Sequence, residues 1–239
     1  MKRCGILSRK EQTLMLEQEA TWIASILIDA PNACDHYWPL LNVGSSVNAT
    51  NDAKNPWIRA KIFGRAENQG LKVINVDIKH GDGVDVVADI SDSSCLEILA
   101  PFKYRAILCS NVMEHVPESL REKFAENLQD LVRPGEKLIL TVPYEYPLHP
   151  DPIDTGFRPQ PQELVAMFPQ LTVQSQQLIE SGNWYDLLGR RPFSVLVRLI
   201  RLLLPFYHPR GWLLIARHFP WLFKPFSVAC VVFTRNHEL

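Results

Sequence analysis

Short apolar runs that alternate with amphipathic segments constrain the fold of this chain more than any other feature of its sequence. Runs such as "YRAILCSN" and "KLILTVP" are apolar without a period of two, which is typical of strands buried on both faces. The segment "PESLREKFAENLQDLV" has helical periodicity instead. Its apolar residues on one face are Leu120, Phe124, Leu128 and Leu131. Strand, helix and strand follow one another with short links, which predicts an α/β fold with a doubly wound, mostly parallel sheet.

Seven strands are expected in that sheet, with helices between them. The other strand patterns are "WPLLNV", "LKVINVD", "VDVVAD", "LTVQSQQLIE" and "FSVACVVFTR". One helix is predicted over "EQTLMLEQEATWIASILI" and another over "PWIRAKIFGRAENQG", which has Pro near its start and Gly after its end. Because the chain has 239 residues and is 46% hydrophobic, we expect a single domain, 1–239.

Two neighbouring strand patterns end on aspartates. In "VINVDIKHGDGVDVVAD" these are Asp77 and Asp89. The carboxyl ends of parallel strands form the ligand-binding edge of an open sheet, so the two carboxylates suggest acceptors for hydroxyl or amino groups of one bound molecule. An aspartate at the end of a strand is also common in turns, and the sequence leaves both interpretations open. Gly44, directly after the first strand, would let the backbone approach a ligand closely.

The ordered motifs resemble those of class I S-adenosylmethionine-dependent methyltransferases, in particular the type 11 group. The resemblance covers roughly residues 38–180 and lies in "LLNVGSS", "VINVDI", "VVADI", "AILCSNVMEHV" and "LVRPGEKLILTVP". It implies a Rossmann-like methyltransferase fold and S-adenosylmethionine as the cofactor. Asp77 would bind the ribose diol, and Asp89 with the Ile90 amide would bind the adenine amino edge. The implied cofactor-binding residues are Asn42, Gly44, Ser45, Asp77, Ile78, Asp89, Ile90 and Asn111.

The loop after the first strand departs from the family pattern, which has an acidic residue two positions before the first glycine and further glycines after it. This chain has Asn42, Ser46 and Asn48 there. One alternative is therefore a methyltransferase-like fold that has lost cofactor binding and serves as a membrane-docked binding or scaffold subunit. A nicotinamide-dependent dehydrogenase would share the acidic residue after the second strand. However, "GSSVNAT" lacks the glycines and the immediate helix that bind pyrophosphate.

A general base is expected among the polar residues that follow strands four and five, if the acceptor is a hydroxyl that must lose its proton. The segment "SNVMEHV" places Glu114 and His115 at the ligand-binding edge, and His115 is the first candidate because imidazole titrates near neutral pH. The alternative is that "EHV" simply starts the next helix. His149, in the loop after strand five, is the second candidate, and its alternative is a proline-braced loop whose polar residues contact only water.

Residues 183–224 form an insertion before the last strand that is rich in Trp, Phe, Leu and Arg. It carries seven basic residues against one aspartate, a local charge of +6, whereas the whole chain carries −1. A polar stripe follows its predicted helix through Arg191, Ser194, Arg198 and Arg201. Basic amphipathic segments with Trp and Phe are typical of membrane-surface anchors, so an anionic membrane is the predicted partner. A lid or a dimer contact is the alternative.

The sequence therefore predicts a cytoplasmic enzyme, peripheral on the inner face of the membrane, that methylates a small-molecule, saccharide or lipid-linked acceptor. The stretch "HPDPIDTGFRPQPQEL" resembles methyltransferases found among glycan-modifying enzymes. The near-zero net charge disfavours a nucleic-acid partner, and no apolar stretch reaches the length of a spanning helix. Five cysteines without CxxC spacing or pairing with His fit a reducing compartment and indicate no metal site. The sequence leaves the oligomeric state open.

Overall fold

The computed structural model describes residues 15–44, 56–148, 154–183 and 219–236, together with Leu196, Val197, Ile200, Leu202 and Trp212. Its strands are β1 (Leu40–Val43), β2 (Val73–Asp77), β3 (Val86–Val87), β4 (Ala106–Ser110), β5 (Lys137–Glu145), β6 (Thr172–Ser181) and β7 (Phe226–Thr234). They form one sheet in the order β3-β2-β1-β4-β5-β7-β6. Each of the seven predicted strands is therefore found, although β3 is shorter than the pattern "VDVVAD" suggested.

Helices flank the sheet. They are α1 (Glu17–Leu27), α2 (Ala33–Tyr37), α3 (56–68), α4 (Ser94–Leu99), α5 (Glu118–Leu131) and α6 (Pro161–Ala166). Within α3, Arg59–Phe63 forms a π-helical turn, and 3-10 turns lie at Met113–His115 and Phe219–Leu222. The short helices α2 and α6 were not predicted from the sequence.

The sheet is mostly parallel, as predicted. Strands β1 to β5 pair in parallel, whereas β7 runs antiparallel to both of its neighbours, β5 and β6. After β3 the chain crosses over to the other side of β1 and continues with β4. Strands β1 and β4 are thus neighbours at the point where the winding direction reverses, which is where open α/β sheets bind ligands.

Two apolar cores cover the two faces of the sheet. Leu41 and Val43 of β1 belong to the core that contains Phe124 of α5, whereas Leu40 belongs to the core that contains Ile23 of α1. This alternation explains the continuous apolar runs, because successive residues of a strand point to opposite faces and both faces are covered. Each large aliphatic side chain that is fully buried contributes about 1.5–3 kcal/mol, so the two cores supply most of the driving force for folding.

The apolar face predicted for helix α5 is wrong at one residue, Leu120. Phe124, Leu128 and Leu131 are buried as predicted, but Leu120 is 42% exposed. Leu120 lies in the first turn of α5, three residues after Pro117, which precedes the helix. Helical periodicity places a residue on a face, but it does not show whether the covered surface extends as far as the end of the helix.

Candidate functional site

The ends of β1, β2 and β4 meet at one edge of the sheet. Val43, the last residue of β1, pairs with Val76 on one side and with Cys109 on the other. The residues at these strand ends and directly after them are therefore neighbours, and they include Asp77, the last residue of β2, and Gly44, which follows β1. Most of the polar residues expected from the sequence are thus brought to the same edge.

Gly44 adopts a conformation that favours glycine. Its φ is +76°, and its N–H donates a hydrogen bond to the Val76 carbonyl at 2.8 Å. A Cβ atom at this position would lie 2.3 Å from Cγ2 of Val112, so a larger residue would displace the segment after β4. Glycine here therefore allows the β1 and β4 ends to approach each other. Ser45 lies outside the described residues.

Asp77 and Asp89 each hold a turn with one carboxylate oxygen. Oδ1 of Asp77 accepts a hydrogen bond from the Lys79 N–H at 2.9 Å, and Oδ1 of Asp89 accepts one from the Ser91 N–H at 2.8 Å. The turn interpretation is therefore correct for these oxygens. Neither Oδ2 atom has a hydrogen-bond partner among the described residues. Because both side chains are only half-buried, each carboxylate keeps one oxygen for a ligand.

The residues next to these aspartates differ in exposure. Ile78 is 59% exposed, which is unusual for a large apolar side chain beside two strand ends. The Ile90 side chain is buried in the core, and its carbonyl accepts a hydrogen bond from Nδ2 of Asn127 at 2.8 Å. No acceptor for the Ile90 N–H is found in the described part of the chain. An apolar surface, two carboxylate oxygens and a backbone donor thus lie along this edge.

Asn42 lies inside β1 and is 7% exposed. Its Nδ2 donates to Oδ1 of Asn75 on the neighbouring strand β2 at 3.1 Å. Asn42 occupies the position at which the family pattern has an acidic residue, and in this structure its side chain links β1 to β2.

A buried carboxyl group from α1 completes the edge, and the sequence analysis missed it. Glu19 is fully buried and lies beside the carboxyl end of β4 and the middle of β5, where Ser110 pairs with Thr141. Its Oε1 accepts hydrogen bonds from Oγ1 of Thr141 at 2.6 Å and from Oγ of Ser110 at 3.0 Å. Nδ2 of Asn111 and the Leu16 N–H also donate to this carboxyl group. Burial raises the pKa of Glu19, and these hydrogen bonds oppose the rise.

A sequence signal for Glu19 existed. Glu19 precedes Ile23 by four residues and Leu27 by eight, so it falls on the apolar stripe of α1. A charged residue within a buried stripe needs hydrogen-bonding partners. Asn111 is one of them, and its φ of +54° belongs to the left-handed region that Asn tolerates better than most residues. The Nδ2 of Asn111, a predicted cofactor-binding residue, is thus hydrogen-bonded to Glu19.

Glu114, in the 3-10 turn after β4, is a second buried carboxyl group. Only 1% of it is exposed, and its Oε2 has no hydrogen-bond partner among the described residues. Burial raises the pKa of Glu114 to about 8, although the positive charge of Arg158 opposes the rise. Raised carboxyl pKa values are common at catalytic sites, but they also occur in structural networks.

The segment after β5 is fastened to Glu114. The N–H and Oγ1 of Thr155 both donate to the Glu114 carbonyl, at 2.9 and 2.8 Å. Oγ1 of Thr155 also lies 3.2 Å from Nη2 of Arg121, whose guanidinium stacks on the Phe157 ring at 4.0 Å. These contacts place the segments after β4 and β5 together.

His115 follows Glu114 and is mostly buried. Its Nε2 lies 3.7 Å from Oε1 of Glu114, and 17% of its side chain is exposed. The segment is a 3-10 turn that ends before α5 begins, so "EHV" does not form the first turn of that helix. The other candidate base, His149, lies outside the described residues. Across the residues described, no group of His, Cys, Asp and Glu could hold a metal ion.

Comparisons with known proteins give likenesses to solved structures only. No family model matches the chain, and no curated protein matches its sequence. A SAM-dependent methyltransferase from Archaeoglobus fulgidus is 13% identical with a TM-score of 0.49, covering 90% of this chain and 94% of that one. The N-methyltransferase NodS from Bradyrhizobium japonicum WM9, solved with S-adenosyl-L-homocysteine, is 9% identical with a TM-score of 0.47, covering 92% and 86%. The [4+2]-cyclase SpnF is 12% identical with a TM-score of 0.44, covering 95% and 98%.

Matches at these identities and scores do not show which molecule this chain binds or which reaction it catalyses. The sheet itself is more informative, because its strand order and its one antiparallel insertion are fixed by hydrogen-bond register. The chain therefore has the Rossmann-like α/β fold, the fold class of the class I S-adenosylmethionine-dependent methyltransferases whose motifs its sequence resembles.

Proposed function

We propose that the chain is an S-adenosylmethionine-dependent methyltransferase whose cofactor lies across the ends of β1, β2 and β3. The observation that carries this proposal is the pair of half-buried carboxylates, Asp77 and Asp89, each with one oxygen left over after its turn is made. They flank the exposed apolar side chain of Ile78. A nucleoside offers hydroxyl donors, an amino donor and a flat apolar ring, and this edge supplies a complement to each.

The residues present fit an adenosine group. Oδ2 of Asp77 would accept hydrogen bonds from the ribose hydroxyls, since charge-assisted bonds to a carboxylate are stronger than those to a neutral side chain. Ile78 would cover a face of the base, and Asp89 with the Ile90 N–H would bind its amino edge. When bound, S-adenosylmethionine supplies an electrophilic methyl group. We include in the proposed cofactor site the sequence-predicted residues Asn42, Gly44, Ser45 and Asn111.

The acceptor side would be formed by the loops after β4 and β5. His115 would accept the proton of an acceptor hydroxyl, with His149 as the rival base, and the protein would otherwise align the acceptor for an in-line displacement. A saccharide or lipid-linked acceptor is our proposal for the substrate class. It draws on the resemblance of the segment after β5 to glycan-modifying methyltransferases.

Replacing Asp77 by Ala should weaken binding of S-adenosylhomocysteine by about 1.5–3 kcal/mol, the range for hydrogen bonds to a charged group. Asp77→Asn separates the two roles of this side chain, because its amide oxygen can still accept the Lys79 N–H while the charge is lost. We expect Asp77→Asn to keep the melting temperature of the protein and to lose affinity. Isothermal titration calorimetry measures the affinity, and Asp82→Ala, at an exposed position of the next loop, is the control.

Cofactor binding by the wild-type protein distinguishes the enzyme from the scaffold alternative. Cofactor binding to the native state alone would raise its melting temperature by a few °C. If neither S-adenosylmethionine nor S-adenosylhomocysteine gives heat or a thermal shift, the chain has lost cofactor binding. The binding or scaffold subunit would then be the better assignment.

Docking on an anionic membrane surface is a second proposed function. The supporting observations are the +6 charge of residues 183–224 and four exposed apolar side chains within them: Leu196, Val197, Ile200 and Phe223. The stripe residues Arg191, Ser194, Arg198 and Arg201 lie outside the described residues. No helix in the described ranges has the length and apolarity of a membrane span. Basic segments rich in Trp and Phe are typical of docking on the surface of a bilayer, which is the mode that we propose.

Charge reversal in this insertion should weaken vesicle binding. Each basic residue near an anionic surface contributes about 1 kcal/mol, so Arg198→Glu with Arg201→Glu should reduce binding to phosphatidylserine vesicles about 30-fold or more. Binding should also fall as salt rises. Lys72→Glu with Lys103→Glu, at exposed positions far along the chain from the insertion, changes the net charge equally and should have little effect. If wild type binds no vesicles and the arginine variant dissociates a dimer, the stripe is a subunit interface.

A further inference from the structure

The Glu114 side chain is a buried ionisable group of this site whose hydrogen-bonding capacity is not satisfied within the described residues. Its Oε2 is inaccessible to solvent and has no hydrogen-bond partner among them. An unsatisfied buried oxygen costs about 1–3 kcal/mol, so such a group in a native protein needs an explanation. The strand ends beside it carry many donors, yet these donate to Glu19, as described above.

Among the described residues, four charged or titratable groups act on Glu114 in addition to the buried thiol of Cys109 in β4. Glu19 of α1 and Asp154 of the segment after β5 are acidic and disfavour its ionised form. Arg158 favours the ionised form, but its guanidinium is bound by both carboxylate oxygens of Asp154, at 3.1 and 2.5 Å. Because Asp154 neutralises Arg158, the latter is a weak counter-charge for Glu114. His115, with Nε2 at 3.7 Å from Oε1, is the fourth group.

We propose that Glu114 and His115 form one proton-accepting unit for a hydroxyl acceptor, in which His115 contacts the acceptor and Glu114 is the positioning residue that stabilises the imidazolium. This inference rests on the proposed function, which already assumes a hydroxyl acceptor, and adds Glu114 as the residue that positions the base. The acceptor O–H bond breaks, its electron pair stays on the oxygen, and the proton binds to the imidazole nitrogen. Above about pH 8, where Glu114 is ionised, its negative charge then faces a positive ring, with Oε1 3.7 Å from Nε2 in a largely buried site.

The geometry favours this unit over His115 acting alone. Partial burial of an imidazole disfavours its charged form, whereas an ionised carboxylate within about 4–6 Å favours that form. The contacts of Thr155 hold the Glu114 backbone in place, so the carboxyl group is fixed before an acceptor arrives. In other catalytic sites with a general base, a third group likewise orients the base by contacting it.

Histidine resonances of the cofactor-free protein test the inference without any knowledge of the acceptor. In a 15N-labelled sample, His115 is assigned by its loss in His115→Asn and titrated from pH 5 to 9.5. We expect two steps in wild type, one of them near pH 8, where Glu114 titrates. In Glu114→Gln the neutral amide removes the counter-charge, so a single step should remain, lower by about one pH unit or more. The exposed His36 should not respond to the substitution.

Two results would overturn the inference. A single His115 step in wild type would show that the two groups do not share a proton, and this holds even if Glu114→Gln fails to fold. Equal His115 midpoints in wild type and Glu114→Gln would show the same. Failure of the proposed function looks different, since wild type would then fail to bind S-adenosylhomocysteine while the coupled titration remained.

Discussion

Replacing Glu19 by Ala should lower the free energy of unfolding by about 3–5 kcal/mol at pH 7. The substitution removes the acceptor for four donors, from Ser110 and Asn111 at the end of β4, Thr141 in the middle of β5 and Leu16 before α1. The hydroxyls of Thr141 and Ser110, 2.9 Å apart, can then pair with each other. Nδ2 of Asn111 would keep its longer hydrogen bond to Oγ of Ser110, at 3.3 Å, but the Leu16 N–H would lose Glu19 as its acceptor, at about 1–3 kcal/mol, and a cavity adds to the loss. Urea unfolding measures the change.

Glu17→Ala is the matched control for this prediction. Glu17 lies on the same helix, but its side chain is 56% exposed and its partner is Lys61 at 3.4 Å. Exposed ion pairs contribute about 0–1 kcal/mol, so the two variants should differ by several-fold in their effect. A loss below about 1 kcal/mol for Glu19→Ala would mean that α1 merely covers the strand ends and does not hold them.

Glu114 should make the stability of the protein fall as pH rises. Its pKa changes from an ordinary 4.5 to about 8 on folding, so the native state holds a proton that the unfolded chain has already released. The stabilising contribution is therefore complete below about pH 4.5 and is lost as pH rises through about 8. At 1.36 kcal/mol per pH unit, the full change is of the order of 3–5 kcal/mol.

Unfolding measured between pH 5 and pH 9 in wild type and Glu114→Gln tests this sign. The Gln side chain stays neutral, so the variant should match wild type near pH 5 and exceed its stability by about 3–5 kcal/mol near pH 9. Glu122→Gln, at an exposed position of α5, should follow wild type throughout. A constant difference between Glu114→Gln and wild type at all pH values would contradict the buried, proton-retaining state of Glu114.

Much of the fold could be predicted from the sequence because the sheet is buried on both faces. The continuous apolar runs locate β1, β4, β5 and β7 well, because they are short and bounded by turn residues, which favours a strand over a buried helix. The short helices α2 and α6 have only five and six residues, too few to show a periodicity. The exposure of Leu120 depends on where the covering surface ends, which is a tertiary property.

The candidate site was predictable where it depends on strand ends and unpredictable where it depends on burial. Gly44, Asp77 and Asp89 follow from the strand boundaries, and the structure places them as expected. The role of Glu19 depends on contacts 91 to 122 positions away along the chain, with Ser110 and Thr141. The sequence placed Glu114 beside His115, but its unsatisfied oxygen and its altered pKa come from the packing around it.

The position of β7 has a consequence for how the protein is made. β7 lies between β5 and β6, although it follows both of them in the chain. While the ribosome is still adding residues 226–234, β6 has no strand partner, and β5 exposes one long edge that β7 will later cover. Unpaired apolar edges invite pairing with other chains. The nascent protein is thus open to wrong strand pairing until β7 is synthesised, and chaperone binding at that stage would protect these edges.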